Sequence, residues 1–300
     1  MPVERAGPVN VPHLVEFLLL KLLQAALWML PWSAVRSLGR WAGRVLFSRL
    51  GFRRNVTVEN IAAAFPECSH AQHIVIAADS FESVGVTLME FLLFPRLRPE
   101  DLRSLVHITN PEVLRAAISK QNGVILLTAH YGSWELFGQA AGLEARSDGR
   151  LLMKVQSNTY VASEVDRWRT RFGLLTTPST LAVRDVLGTL QQGGWVVIAA
   201  DQSAPKESVP VRFFGREVPT FQGPAAFALK TGATILLGVA RRTPADTYEI
   251  TFEKIPGDDL HGATQENIRL LTERHVRRTE ELIRREPGQW MWMHKRWKHV

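Results

Sequence analysis

The chain is poor in the residues that build disulfide frameworks and metal centres. It has a single cysteine, Cys68, among 300 residues, which excludes an intrachain disulfide and any site built from several cysteines. The sequence has no His-Glu-x-x-His segment and no Gly-x-Ser-x-Gly turn, the signatures of zinc hydrolases and of serine nucleophiles in α/β hydrolases. It also lacks internal repeats and low-complexity segments. We therefore expect no metal and no cofactor.

The composition favours a folded protein with a large core. Hydrophobic residues make up 46% of the chain and charged residues 22%, values that exclude disordered, collagen-like and coiled-coil proteins. The formal net charge is +7, and much of the excess lies in the first sixty residues. A basic end attracts phosphate-bearing partners, namely nucleic acid, anionic lipid or an acidic carrier protein. Charge alone does not choose among these three.

The N-terminal segment has the features of a membrane-associated region. Residues 13–32 form a nearly continuous apolar run, about as long as a bilayer is thick. Three polar residues interrupt it: Glu16, Lys21 and Gln24. The following stretch, residues 34–50, is amphipathic with arginines spaced four residues apart, which suits an anionic membrane surface or, equally, an ordinary surface helix. Residues 1–50 are therefore predicted to be a membrane-anchoring helical segment that either spans the bilayer or lies on it.

Residues 51–300 are predicted to form one α/β domain with a mainly parallel central sheet flanked by helices. Short apolar runs, continuous as in strands buried on both faces, alternate with helical stretches, which is the pattern of such a sheet. The predicted strands are Val124–Thr128, Leu151–Val155, Trp195–Ala200, Thr234–Ala240 and Tyr248–Glu253. The predicted helices are residues 69–94, 133–144, 160–172, 179–192, 223–231 and 265–286, with Asn110 as the cap of a further helix.

Two irregular segments follow predicted strands. Residues 130–134 leave the first strand, and residues 201–221 form a long connection that contains three prolines and has no predicted secondary structure. Open α/β sheets place their sites at the carboxyl ends of strands, and long structureless loops are usually functional. We therefore expect the functional site where these two segments meet.

His130 and Glu135 are the residues with the clearest chemistry. If His130 lies in the turn after the strand and Glu135 in the first turn of the next helix, the carboxylate can fold back toward the imidazole. Glu135 would then fix the tautomer of His130 and stabilise its protonated form. His130 would act as a general base on a substrate hydroxyl. A surface or core histidine is the alternative explanation of this spacing.

Several further segments accompany this pair in the chain. They are residues 60–66 (NIAAAFP), 130–135 (HYGSWE), 171–173 (RFG), 200–203 (ADQS), 213–215 (FFG), 220–228 (TFQGPAAFA) and 289–297 (QWMWMHKRW). In this combination and order, the sequence resembles the bacterial lipid A biosynthesis acyltransferases, the lauroyl/myristoyl-type enzymes of the lysophospholipid acyltransferase superfamily. The resemblance extends from about residue 12 to the end. Many members have Asp at the position of Glu135.

The resemblance implies transfer of a fatty acyl group from a thioester, with acyl carrier protein as the expected donor, to a hydroxyl of a membrane glycolipid. His130 would be the base and Glu135 its orienting partner. The other expected site residues contact the substrates and are Arg169, Arg171, Asp201, Gln202, Phe214, Gly215, Thr220 and Gly223. Arg169 and Arg171 are candidates for phosphate, or belong to a solvated helix face. Asp201 either binds a substrate hydroxyl, pairs with an arginine such as Arg171, or caps a turn.

The remaining expectations for these residues are less specific. Thr220 is a candidate phosphate ligand, and residues 213–215 and 220–224 would form a lid or acyl-chain wall, or simply pack as loops. A second basic surface would help to dock an acidic acyl carrier protein or anionic lipid, and its members are Arg274, Arg277, Arg278, Arg284, Arg285, Lys295, Arg296 and Lys298. We expect the inner membrane as the location, with the catalytic domain on the cytoplasmic side.

Two other functions stay open at the level of the sequence. One is an acyl-CoA-dependent acyltransferase that acts on another glycolipid, such as a phosphatidylinositol mannoside. The other is a non-enzymatic basic protein that binds membrane or nucleic acid, although we expect no nucleic-acid partner. An acyltransferase predicts an apolar channel that ends at His130, whereas a binding protein predicts a positive stripe with exposed aromatic residues.

Overall fold

A computed structural model describes residues 10–153, 156–178 and 182–298. Helices are the main element of its first hundred residues. They are α1 (Val11–Leu27), α2 (Trp32–Ser48), α3 (Arg54–Ala64) and α4 (His70–Phe91), followed by a 3₁₀ turn (Phe94–Arg96) and α5 (Pro99–Leu105). Helix α4 begins where the sequence predicts, because Ser69 and Gln72 form a reciprocal capping box at its N-terminus.

The rest of the chain alternates strands with helices. The strands are β1 (Val106–Ile108), β2 (Val124–Thr128), β3 (Gly149–Met153), β4 (Leu174–Pro178), β5 (Trp195–Ala199), β6 (Val209–Phe213), β7 (Arg216–Thr220), β8 (Thr234–Leu237), β9 (Arg241–Arg242), β10 (Tyr248–Ile250) and β11 (Glu253–Lys254). The helices are α6 (Pro111–Ser119), α7 (Trp134–Ala145), α8 (Thr159–Arg169), α9 (Ala182–Gln191), α10 (Gly223–Thr231) and α11 (Gln265–Arg285), with 3₁₀ turns at Thr170–Phe172 and Pro287–Gln289.

Six strands form the central sheet, in the order β11-β8-β2-β5-β3-β4. All neighbours are parallel except β11, which runs antiparallel to β8. Strand β2 lies between β8 and β5, and Ile125, Leu126 and Leu127 are at most 1% exposed. Burial on both faces explains its continuous apolar run. The predicted α/β architecture, with a central sheet flanked by helices, is confirmed.

The structure differs from the prediction in several elements. Residues 201–221 are not structureless, since they contain the antiparallel hairpin of β6 and β7. Asn110 is the N-cap residue of α6, as predicted, but its side chain bonds both backbone groups of Phe252 instead of the first turn of the helix. One predicted strand, Tyr248–Glu253, is divided between β10 and β11, and β4 was not predicted. The predicted strand and helix at residues 151–155 and 179–192 extend into residues outside the described ranges.

Helix α1 is docked on the domain through the polar residues that interrupt its apolar run. Gln24 Nε2 donates to Leu92 O at 3.0 Å, and Lys21 Nζ lies 3.1 Å from Glu164 Oε1. Leucines project from the other side of the helix and are exposed: Leu18 (50%), Leu19 (61%) and Leu22 (67%). Over the described residues, α1 and every other helix fall short of the length and apolarity needed to cross a bilayer.

Candidate active site

The turn after β2 is held rigidly at the carboxyl edge of the central sheet. Gly132 has φ of +54°, and a Cβ there would lie 1.9 Å from the carbonyl oxygen of Ala240, so only glycine fits. The Gly132 carbonyl accepts a hydrogen bond from Thr87 Oγ1 at 2.7 Å, and its N–H donates to Gln289 O at 3.0 Å. These contacts fix the position of His130 two residues earlier.

The carboxylate that contacts His130 belongs to Asp201, which follows the neighbouring strand β5. Its Oδ1 lies 2.8 Å from Nδ1 of the imidazole, and its Oδ2 accepts the backbone N–H of His130 at 2.8 Å. Trp290 Nε1 donates a third bond to Oδ2 at 2.8 Å. Because the carboxylate only accepts, Nδ1 carries the proton and Nε2 has the free lone pair.

Glu135 lies in the first turn of α7, as predicted, but it contacts Arg169 rather than His130. Arg169 Nε donates to Glu135 Oε2 at 2.9 Å, and a second bond joins Arg169 Nη2 to Oε1. The prediction that Glu135 hydrogen-bonds to the imidazole of His130 is therefore wrong. Helix α7 directs the Glu135 carboxylate toward Arg169, the last residue of α8. Asp201 reaches the imidazole because β2 and β5 are adjacent parallel strands whose carboxyl ends lie side by side.

Of the alternatives for Asp201, pairing with Arg171 is not what the structure shows. Arg171 Nη2 donates to the carbonyl of Leu97 at 3.0 Å, which holds it away from the strand ends. Arg169, in contrast, lies close to the site with its side chain 17% exposed, and its guanidinium sits over the ring of Phe91 at 5.4 Å. Arg169 therefore does not lie on a solvated helix face, whereas Arg171 is exposed in the 3₁₀ turn that follows α8.

Gln202 and His294 complete the surroundings of the imidazole. Gln202 Nε2 lies 3.3 Å from His130 Nε2, so its amide is next to the free lone pair. Ser203 donates its backbone N–H to His294 Nε2 at 3.0 Å. Sequence reasoning placed Gln202 at the site but gave His294 no role beyond membership of the segment 289–297.

The electrostatics of the His130–Asp201 pair favour an ionised carboxylate beside the imidazole. Burial alone lowers the pKa of His130, but the charge and hydrogen bond of Asp201, with a smaller contribution from Glu135, outweigh it and raise that pKa above its usual value. Burial raises the pKa of Asp201, yet the charge of His130 and the hydrogen bonds from His130 and Trp290 lower it overall. The pKa of His294 is lowered, mainly by burial.

The remaining predicted residues are placed around the β6–β7 hairpin and α10. Phe214 (φ +49°) and Gly215 (φ +74°) form the two-residue turn of the hairpin, and the buried Phe214 ring packs against Trp292 at 5.8 Å. Thr220 is fully buried and accepts a hydrogen bond from Arg296 Nη2 at 2.7 Å. The prediction that Thr220 binds phosphate is therefore wrong. Gly223 is the first residue of α10.

Part of the expected second basic surface is engaged within the protein. Arg274, Arg278 and Arg284 pair with Asp259, Glu253 and Glu280, respectively, at 2.6 to 2.8 Å. Arg296 is buried and does not belong to that surface, whereas its other members, Arg277, Arg285, Lys295 and Lys298, are exposed. Within the described ranges, no group of three or more His, Cys, Asp or Glu side chains could hold a metal ion.

A family sequence model and several known proteins match nearly the whole chain. The sequence model described as "Bacterial lipid A biosynthesis acyltransferase" matches residues 8–299. The chain is 25% identical over 286 residues to the lipid A biosynthesis lauroyltransferase of Escherichia coli K12, covering 91% of this chain and 89% of the relative. It is equally similar to the lipid A biosynthesis palmitoleoyltransferase of the same organism and to a lipid A biosynthesis acyltransferase of Shigella flexneri, with 88% of each relative covered.

Proposed function

The chain belongs to the bacterial lipid A biosynthesis acyltransferase family and is an acyltransferase enzyme, and on that premise we propose that it transfers a fatty acyl group from an acyl thioester to a hydroxyl of a lipid A precursor. The observation that carries the proposal is the contact of His130 with Asp201 at the carboxyl edge of the sheet. This family membership argues against the non-enzymatic binding protein that the sequence left open.

His130 is the general base in the proposed reaction. Its Nε2 takes the proton from the acceptor hydroxyl, whose oxygen attacks the carbonyl carbon of the thioester. The carbon–sulfur bond of the resulting tetrahedral intermediate then breaks. The leaving sulfur takes the proton from the imidazolium, so the products are an ester and a free thiol. Asp201 holds the ring in the tautomer that this sequence of steps needs and stabilises the imidazolium.

Gln202 and Arg169 are the groups that we assign to the developing negative charge. The amide of Gln202 is next to Nε2, where the hydroxyl and the thioester must meet. Arg169 is a nearby cation whose charge opposes protonation of His130. Glu135 holds this cation in place through two hydrogen bonds. A fixed donor and a fixed positive charge beside the reacting carbonyl would stabilise the oxyanion without reorganisation.

We propose acyl carrier protein as the donor and the cytoplasmic face of the inner membrane as the location. The exposed leucines of α1 support docking on a bilayer surface. The arginines of α2 contribute little, because Arg36, Arg40 and Arg44 pair with Glu90, Asp246 and Glu82. A channel for the acyl chain that ends at His130 is part of the same proposal. Acyl-CoA is the alternative donor, and the assay below includes it.

The proposal is tested by measuring acyl transfer with purified protein. A lipid A precursor is incubated with either acyl carrier protein thioesters or acyl-CoA, and the product is identified by mass spectrometry. We expect His130→Ala to lower kcat by at least about 10²-fold while its circular dichroism is unchanged. His107→Ala, at an exposed histidine on β1, is the matched control and should retain activity. Full turnover by His130→Ala would overturn the proposal.

A further inference from the structure

A small cavity is lined by Asp201 but not by His130. Its volume is about 10 Å³, close to the smallest space that holds one water molecule. Residues from β2, the end of β5, β6, α11 and the C-terminal segment line it, among them Thr128, Asp201, Phe213, His275, Thr279 and Arg296. The cavity is therefore shared by the site, the β6–β7 hairpin, α11 and the C-terminal segment.

Three buried polar atoms of the cavity lining have no hydrogen-bond partner within the described part of the chain. They are Thr128 Oγ1, His275 Nε2 and Arg296 Nε. An unpartnered buried polar atom destabilises the folded state, and native proteins usually satisfy such atoms with an internal water. Three of them around one cavity of this size match the two to four partners that a buried water requires.

Arg296 is a buried cation, only 2% exposed. Its Nη1 donates to Pro219 O at 2.8 Å and its Nη2 to Thr220 Oγ1 at 2.7 Å. The guanidinium also lies over the ring of Phe213 at 5.2 Å. These contacts fix the orientation of the group and leave Nε for the cavity.

We propose that Arg296 is a positioning residue for the His130–Asp201 pair, and that it acts across this cavity, where one water molecule bridges Arg296, His275 and Thr128. The inference rests on the proposed function, since it explains how the base is tuned. Arg296 acts through Asp201, which lines the same cavity, and its guanidinium is held by Pro219 and Thr220 of the β6–β7 hairpin.

The charges around the cavity support this role. Burial lowers the pKa of Arg296 to about 10, and the charge of Asp201 opposes that decrease, so Arg296 is protonated at neutral pH. Burial, together with the charge of Arg296, lowers the pKa of His275 to about 4, so His275 is neutral there. The charged and titratable groups that interact with His130 or Asp201 are Glu135, Arg169, His294 and Arg296. His275 shares the cavity with Asp201 and interacts with Arg296, and Arg53 acts on His294.

Arg296 therefore offsets part of the attraction between Asp201 and the protonated imidazole. Without this cation, the carboxylate would hold the imidazolium more strongly and the pKa of His130 would rise further. A larger fraction of His130 would then be protonated at neutral pH and unable to accept a proton from the substrate.

The first test is an NMR titration of the His130 ring, assigned by comparison with His130→Ala. In Arg296→Met we expect the pKa of His130 to rise by about 0.5 or more, the effect of removing one buried charge nearby. Thr220→Val removes a hydrogen bond of Arg296 but keeps its charge, and should leave the pKa within about 0.2 of wild type. An unchanged pKa in Arg296→Met would overturn the proposal.

The second test is the thermal unfolding of Thr128→Val, which replaces the unpartnered hydroxyl by a methyl of the same shape. If a water molecule bridges Thr128, His275 and Arg296, the substitution removes one hydrogen-bond partner of that water. The melting temperature of the variant then falls by about 2 °C or more. An unchanged or raised melting temperature would show that the hydroxyl binds no water and would overturn the bridge. If Arg296→Met fails to fold, the neutral but polar Arg296→Gln is titrated in its place, and an unchanged pKa of His130 in that variant would overturn the role of Arg296.

Neither measurement depends on turnover, so the two proposals fail separately. Full acyl transfer by His130→Ala would remove the proposed function and leave both tests readable. Normal transfer by wild type, with an unaltered His130 titration in Arg296→Met, would remove only the role of Arg296.

Discussion

At the scale of single residues, the site depends on a buried carboxylate with three hydrogen bonds. Asp201 has its side chain 3% exposed and accepts from His130 twice and from Trp290 once. A carboxylate buried to this degree is costly unless its oxygens are bonded, and bonds to the charged form keep it ionised. The same hydrogen bonds fix the plane of the imidazole. They therefore set both the orientation of His130 and the ionisation of Asp201.

The pairing of Glu135 with Arg169 gives a prediction at the same scale. Glu135→Gln should lower kcat because it loosens Arg169, and Arg169→Met should lower it by a similar factor. The double variant should lose about as much as the worse single variant, since both changes remove one interaction. Multiplicative losses in this double-mutant cycle would mean that Glu135 acts on His130 independently of Arg169.

The sequence predicted His130 and Asp201 as site residues but not their contact. A spacing of five residues made Glu135 the nearest acid in the chain, whereas Asp201 is 71 residues away. Only the order of strands in the sheet brings the ends of β2 and β5 together. Thr220 and Arg296 illustrate the same limit, because their hydrogen bond also joins distant segments.

At the scale of secondary-structure elements, α2 and α4 pack with their backbones almost in contact. A Cβ at Gly85 would lie 2.2 Å from the carbonyl of Gly39, and one at Gly43 would lie 2.3 Å from the carbonyl of Phe81. Because the clashing atoms belong to the backbone, neither helix can yield by a side-chain rotation. A buried ion pair between Arg36 and Glu90, at 2.6 Å, crosses the same interface.

Gly85→Ala should therefore destabilise the protein by about 2 kcal/mol or more, the cost of overpacking a close interface. Chemical denaturation followed by circular dichroism measures the free energy of unfolding. Gly188→Ala, in α9 with nothing within 4 Å of its added Cβ, is the matched control. It should stabilise the protein by up to about 1 kcal/mol through helix propensity. Equal effects of the two substitutions would argue against the close packing.

Helix α1 supplies the prediction for membrane docking. Replacement of Leu18, Leu19 and Leu22 by Ser should weaken binding to vesicles that contain phosphatidylglycerol by roughly tenfold or more, because each leucine buries apolar area in the interface. The control replaces Val75, Leu88 and Leu175, which are exposed on other elements, by Ser. Vesicle co-sedimentation gives both affinities. Equal binding by the two triple variants would show that α1 is not the docking surface.

At the scale of the whole molecule, the hydrophobic pattern was enough to predict the central sheet but not its margins. Strands β2 and β5 are continuous apolar runs because neighbours cover both faces. The edge strand β4 was missed because it is partly exposed and mixes apolar with polar residues. The β6–β7 hairpin was missed because its prolines suggest a loop, yet Pro210 and Pro219 are paired opposite each other in a two-stranded ribbon, where prolines are tolerated.

The central claim is that Asp201 holds His130 as the base for acyl transfer, and the pH dependence of kcat/KM in Asp201→Asn tests it most directly. A neutral amide no longer stabilises the imidazolium, so the pKa of His130 falls and the acidic limb moves to lower pH. We expect this shift together with a loss in kcat of about 10²–10⁴-fold, because the ring is no longer held in its reactive tautomer. Wild-type turnover with an unmoved acidic limb would contradict the account.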